Sequence, residues 1–229
     1  MKIDLAQYMK DRYLELSKTS ADPGPVVTIA RETGCPGKKV AQKLTEALNQ
    51  RIKQAGKREE WKWVGKEIFV EAAKELELDP EQVENVFKQK RNIIDQILSA
   101  QAHKFYKNDR TVLKTMGDVI RSMANDGNVI ILGRGGVAIT RDIAKSVHIF
   151  LEAPLEWRSL IISQKEDWTV EEAKKYAIET DKERNSYRDF YHGKNTDYTW
   201  YDARFNCMTL KVDEIVEEIL KLMEIKKII

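Results

Sequence analysis

Apolar positions in this chain change their period several times, and each change marks an element. Ile3, Leu5, Tyr8, Met9, Tyr13 and Leu16 recur at spacings near three and four, which predicts an amphipathic helix ahead of the turn-formers Ser20, Asp22, Pro23, Gly24 and Pro25. Val26, Val27, Thr28 and Ile29 then form a short β-prone run. A loop with Gly34, Pro36 and Gly37 follows, and Val40, Ala41, Leu44, Ala47, Leu48 and Ile52 return to helical spacing. Residues 54–63 are polar apart from Trp61 and Trp63 and read as a connector. Two helices are expected next, divided where Asp79 can cap and Pro80 can open the second. A third apolar stripe over 88–107 carries Ile93, Ile94, Ile97, Leu98, Ala102 and Phe105.

Thr111 reads as the cap of a helix reaching Asn125, stopped by Asp126 and Gly127. Val129, Ile130, Ile131 and Leu132 have the unbroken apolar character of a strand covered on both faces, and Val147 to Leu151 has it again. Pro154 suits the start of the helix that carries Arg158. Thr169 with Glu172 forms a capping-box pattern for a helix running towards Tyr191. Residues 193–202 are turn-rich. A last strand near 204–208 precedes a helix with Val212, Ile215, Val216, Ile219, Leu220 and Met223 on one face.

Strands alternating with helices predict an α/β domain with a parallel sheet, whose ligands sit at the carboxyl edge. That edge is where Gly133, Arg134, Gly135 and Gly136 fall. A chain of 229 residues, 42% apolar and 33% charged, can bury a continuous core as one large domain. Its longest apolar run in a strand is far short of the ~20 residues that cross a bilayer. No charged start leads into an apolar stretch, so the cytoplasm is the default address. A formal charge of +2 gives no reason to expect nucleic acid, although Trp61, Trp63, Tyr198, Trp200 and Tyr201 are stacking groups such a partner would use. Cys35 and Cys207 with His103, His148 and His192 make neither a disulfide framework nor a zinc pattern.

Two sets of residues point to chemistry. Thr33, Gly34, Cys35, Pro36, Gly37, Lys38 and Lys39 join a strand to a helix start, a geometry that offers backbone N–H groups to a phosphate. Gly37 and Lys38 match the end of GxxxxGK[ST], but Glu32 stands at the first glycine and Lys39 at the hydroxyl position. On these residues alone, a phosphate loop and an ordinary turn are equally good readings. The second set is Arg134, Arg158, Arg184 and Arg188, planar cations suited to gripping phosphate oxygens; Arg184 and Arg188 share a helix face, and Asp181 can orient Arg184.

The order of these segments resembles the cytidylate kinase-like family of P-loop kinases. The resemblance runs from about Val26 to Leu222. It rests on Val-Thr-Ile-Ala-Arg-Glu at 27–32 with Gly37, Ile-Leu-Gly-Arg-Gly-Gly at 131–136 and Glu-Ala-Pro-Leu-Glu-Trp-Arg at 152–158. Thr-Asp-Lys-Glu-Arg-Asn-Ser-Tyr-Arg at 180–188 and Tyr-Asp-Ala-Arg-Phe-Asn at 201–206 complete it. It implies a three-layer α/β/α P-loop kinase-like domain over 23–226, with a helical insertion at 54–107, a helical lid at 165–200 and an N-terminal helix and linker at 1–22. It further implies transfer of a phosphoryl group from ATP, with Mg2+, to a nucleoside monophosphate, cytidylate first.

Gly34, Cys35, Pro36, Gly37, Lys38 and Lys39 would then hold the donor and Arg134 the acceptor. Arg158 would line the closing cleft, while Asp181, Arg184 and Arg188 would belong to the lid, and Lys66 and Arg91 are weaker acceptor contacts. In cytidylate kinase proper an aspartate follows the Gly-Arg pair, where Gly135 stands here. Magnesium would lean on the donor phosphates and a carboxylate such as Glu152 or Asp181, so the metal ligands stay open. The expected partner is a nucleotide or another phosphorylated small molecule, with no membrane; a homo-oligomer stays open. A different small acceptor, or a nucleotide-binding regulator without turnover, stays open beside the kinase reading.

Overall fold

The computed structural model describes residues 23–76, 102–192 and 198–229. The expected helix before residue 20, the break at Asp79 and Pro80, the contact Arg91 and most of the apolar stripe over 88–107 lie outside them. Five strands, β1 (Val26–Arg31), β2 (Lys62–Val64), β3 (Val129–Leu132), β4 (Ser146–Glu152) and β5 (Ala203–Asn206), form one sheet in the order β2-β3-β1-β4-β5. Every pairing is parallel. The helices are α1 (Gly37–Gln54), α2 (Glu67–Leu76), α3 (Ala102–Asp126), α4 (Gly136–Thr140), α5 (Leu155–Glu166), α6 (Val170–His192) and α7 (Val212–Ile225), with a 3-10 turn at Tyr198–Trp200.

Alternation along the central strands builds the three layers. Val27 and Ile29 of β1, Ile130 of β3 and Val147 and Ile149 of β4 face one side, where Leu44 and Leu48 of α1 and Ile215 and Ile219 of α7 cover them. Val26, Val129 and Ile131 face the other, against Ile68 of α2 and Met116 and Ile120 of α3. These side chains are at most 1% exposed, and each contributes about 1.5–3 kcal/mol of transfer free energy. Helices on both faces of a parallel sheet give the α/β/α architecture expected from the sequence.

Two elements differ from expectation. The connector expected at 54–63 ends in β2, an edge strand aligned on β3 through Lys62, Trp63 and Val64. Its place is set by tertiary bonds: Asn49 on α1 brackets the Trp61 peptide, donating to its carbonyl at 3.0 Å and accepting from its amide at 2.7 Å. The helix expected to start at Thr111 already begins at Ala102, so Thr111 lies inside α3 and not at its N-terminus. The capping box of α6 is present, with Thr169 N–H donating to Glu172 Oε2 at 2.9 Å and Glu172 N–H to Thr169 Oγ1 at 3.3 Å. Ala173 and Ala177 then pack α6 on Ile162 of α5, bringing the charged middle of α6 over the carboxyl edge of the sheet.

Candidate functional site

The segment joining β1 to α1 is fastened on one side and open on the other. The Glu32 amide continues the parallel pairing to Leu151 O at 2.9 Å, and its carboxylate accepts from Ala153 N–H at 3.0 Å. Thr33 donates through both its amide and its hydroxyl to Asp181 Oδ1, each at 2.7 Å. Gly34 has φ +96°, and a Cβ there would stand 2.9 Å from Arg158 Cβ, so its close approach to α5 needs glycine. Helix α1 begins after Pro36 without a side-chain cap, and its first turn holds no acid but Lys38 and Lys39. An uncapped, basic helix start suits an anion. Lys38 is exposed, with Nζ 5.9 Å from the centre of the Trp63 ring.

Arg158 is the pin of this arrangement. Its side chain is 7% exposed; Nε donates to Ala153 O at 2.9 Å and lies 3.2 Å from Glu32 Oε2, while Nη1 donates to Thr33 O at 3.0 Å and Asp181 Oδ2 at 2.8 Å. Arg158, expected to line the closing cleft, ties the loop to α5 and α6 in this structure. The partners of Nε and Nη1 offset the cost of burying the guanidinium.

Beside the loop, at the carboxyl edge, lies a cavity of about 300 Å³ that gathers Arg31, Arg134, Arg184, Arg188 and Arg204. Arg134 sits in a turn whose three residues Gly133, Arg134 and Gly135 have φ of +78°, +58° and +70°. Glycine fits this left-handed stretch without strain, which accounts for Gly135 where an aspartate was expected. Arg31 passes between two glycines: a Cβ on Gly133 would stand 2.1 Å from its Nη1, and one on Gly37 would stand 3.3 Å from its Cγ. Burial, then the cations Arg184 and Arg134, push the Arg31 guanidinium down to about 9. Burial likewise lowers Arg184, which donates to Arg31 O at 3.2 Å. Arg188 donates to Tyr201 Oη at 2.9 Å and lies over the Phe150 ring at 5.6 Å. Arg204 pairs with Glu152 and lies 4.4 Å from the Tyr198 ring centre. The cavity thus has a cationic floor and an aromatic wall.

Of the expected residues, Arg134, Asp181, Arg184, Arg188 and Lys66 line this cavity, while Gly34, Cys35, Pro36, Gly37, Lys38 and Lys39 form the adjoining loop and helix start. Arg31 and Arg204 were missed. Arg31 carries the signal that singled out Arg134, an arginine closing a buried strand run. Among the described residues no three His, Cys, Asp or Glu side chains are placed to hold a metal ion. Both carboxylates expected to help magnesium are engaged, Glu152 by Arg204 and Asp181 by Thr33 and Arg158.

No curated protein matches the chain. Among solved structures, it is similar to an uncharacterized protein from Eubacterium ventriosum, with a TM-score of 0.60 and 21% identity over 87% of this chain and 98% of that one. A shikimate kinase from Acinetobacter baumannii in complex with shikimate aligns at 0.49 and 13% identity over 89% and 95% of the two chains. A shikimate kinase from Bacteroides thetaiotaomicron aligns at 0.47 and 11% over 87% and 98%. The first of these supports the parallel α/β/α fold. A family model for the cytidylate kinase-like family matches residues 26–208, from the start of β1 to just beyond β5, and on that match the chain belongs to this family.

Proposed function

We propose that the protein transfers the γ-phosphoryl group of ATP to an acceptor that already bears a phosphate, a nucleoside monophosphate with cytidylate the first candidate. The observation that carries this reading is the convergence of Arg31, Arg134, Arg184 and Arg188 on one cavity beside an uncapped helix start. A neutral hydroxyl acceptor gives no use to so many guanidiniums, whereas a phosphate dianion satisfies them in pairs. Burial first, and the neighbouring cations Arg184 and Arg134 after it, lower the Arg31 pKa, and a bound anion would offset the second of these. A phosphate monoester is also its own nucleophile, so a strong general base is not required.

On this reading the first-turn amides of α1, with Lys38, hold the donor, and Arg134 and Arg31 hold the acceptor. Arg184 and Arg188 on α6 meet the charge of the phosphoryl group in flight. Magnesium would arrive with the nucleotide, and no step is assigned to a protein-held ion. The rings of Phe150 and Tyr198 flank the Arg204 guanidinium at 5.4 and 4.4 Å and hold it beside the other cations.

One observation favours a second reading, nucleotide binding without turnover: Asp181 and Arg158 hold Thr33 so closely that α6 is fastened to the loop. A coupled assay with ATP, Mg2+ and CMP, dCMP, UMP, AMP or GMP separates the two. The kinase reading expects transfer to one acceptor, with Arg134→Ala lowering kcat/KM for that acceptor by about 10–100-fold, the worth of a charged hydrogen-bond pair, at an unchanged KM for ATP. ATP binding without transfer to any acceptor selects the second reading, and absence of ATP binding refutes both.

A further inference from the structure

Arg31, Arg134, Arg184 and Arg188 have a task in phosphoryl transfer, whereas Arg204 lines the same cavity without one. It stands on β5, which is separated from β1 by β4. Arg31 pairs in register with Leu151 and Arg204 with Phe150. Strand spacing therefore sets their backbones about 10 Å apart. Arg184 donates to Arg31 O at 3.2 Å, and the Arg31 guanidinium passes beside Gly133, next to Arg134. These three make the phosphate end of the cavity, and Arg204 lies across from them. Its guanidinium is held by a carboxylate and two rings: Nη2 donates to Glu152 Oε2, and the centres of Phe150 and Tyr198 lie 5.4 and 4.4 Å from Cζ. One carboxylate oxygen answers only part of a fork of five N–H donors.

We infer that Arg204 selects the acceptor by donating to a carbonyl oxygen at the end remote from the acceptor's phosphate, so that the substrate is a nucleoside monophosphate whose base carries a carbonyl group. The inference rests on the kinase reading for what fills the phosphate end. The charge of Arg204 is already answered by Glu152, so this end of the cavity offers donors without an excess of cation. A second phosphate or carboxylate here would meet the Glu152 charge, whereas a neutral carbonyl meets only the donors. The side chain is 38% exposed, rooted on a strand and flanked by rings, so little freedom is lost when the fork engages a ligand. A nucleoside monophosphate has the required reach, because its phosphate and its base stand on opposite sides of the ribose. Cytosine, uracil, guanine and hypoxanthine each present a carbonyl. Adenine has an amino group instead, which sets donor against donor and leaves the fork unanswered.

Titration calorimetry of the full chain with CMP, UMP, GMP, inosine monophosphate, AMP, cytidine bisphosphate and ribose 5-phosphate tests this without requiring turnover. The tightest ligand should be a monophosphate with a base carbonyl, and Arg204→Leu should weaken it by about 10–100-fold, the worth of a charged hydrogen bond. Ribose 5-phosphate, which fills only the phosphate end, should bind the variant as it binds wild type. Glu152→Gln removes the anchor and leaves the guanidinium, so it should weaken the same carbonyl ligand by a smaller factor and again spare ribose 5-phosphate. AMP as the tightest ligand, an equal loss for ribose 5-phosphate, or no loss in Arg204→Leu overturns the inference. So does a preference for the bisphosphate that Arg204→Leu removes, since Arg204 then reads a second anion. Carbonyl-selective binding with no transfer from ATP refutes the kinase reading and keeps the role of Arg204, while transfer with selectivity unchanged in Arg204→Leu does the reverse. Binding of no monophosphate at all refutes both.

Discussion

Replacing Arg158 by methionine keeps the stem that packs in the core and removes every charged contact that joins the loop to α5 and α6. The carbonyls of Ala153 and Thr33 lose donors at 2.9 and 3.0 Å, and the carboxylates of Asp181 and Glu32 lose the cation at 2.8 and 3.2 Å. Breaking a buried ion pair from one side costs about 3–5 kcal/mol. Asp181 and Glu32 are 21% and 28% exposed, so water recovers part of the loss. The low end applies, about 3 kcal/mol, which for a domain of this size is a drop of about 6–12 °C in Tm. Thermal unfolding followed by circular dichroism, with urea titration at 25 °C for the free energy, measures it directly. Asp181→Asn keeps an oxygen for Thr33 and should cost about 1 kcal/mol, and the double variant should show a coupling of about 1–2 kcal/mol. A Tm within 2 °C of wild type for Arg158→Met, or strictly additive effects, would refute the view that this arginine pins the loop.

Two further outcomes follow from single residues. Arg134→Gly should weaken binding of the phosphorylated acceptor by about 10–100-fold yet hold or raise Tm, because arginine at φ +58° carries about 1 kcal/mol of backbone strain that glycine lacks; a clear loss of stability would contradict it. His148 is buried, with Nδ1 2.8 Å from Thr28 Oγ1, and burial pushes its pKa down to about 4. Since the unfolded chain binds its proton near 6.5, stability from this site is full above 6.5 and is lost as pH falls towards 4, up to about 3 kcal/mol. Denaturant titrations across that range should show a steeper decline for wild type than for His148→Gln, and equal slopes would dismiss the assignment.

The parts of the fold legible in the sequence are those whose environment is uniform. Strands β1, β3 and β4 are covered on both faces and therefore read as continuous apolar runs. Strand β2 carries exposed Lys62 at an edge and exists through pairing with β3 and the Asn49 bracket, neither of which leaves a local trace. Thr111 looked like a cap because threonine often is one, but the helix was already running through it. At the site, Arg134 was legible from its place beyond a buried strand, and Arg184 and Arg188 from their shared helix face. Arg158 was not, because its partners Thr33 and Asp181 lie 125 and 23 positions away and only the assembled fold turns a cleft arginine into an internal tie.

The passage of Arg31 between Gly37 and Gly133 makes the two flanking loops a single unit of inheritance for design. A methyl group on Gly133 would stand 2.1 Å from the Arg31 guanidinium and one on Gly37 would crowd the arginine's stem at 3.3 Å, so a change in either loop changes the room left for it. A graft that exchanges one loop for a relative's sequence leaves the arginine with a mismatched slot. One that moves both loops with the end of β1 carries the slot intact. Redesign of this edge of the sheet is therefore best done with the Arg31 slot transplanted whole or left alone.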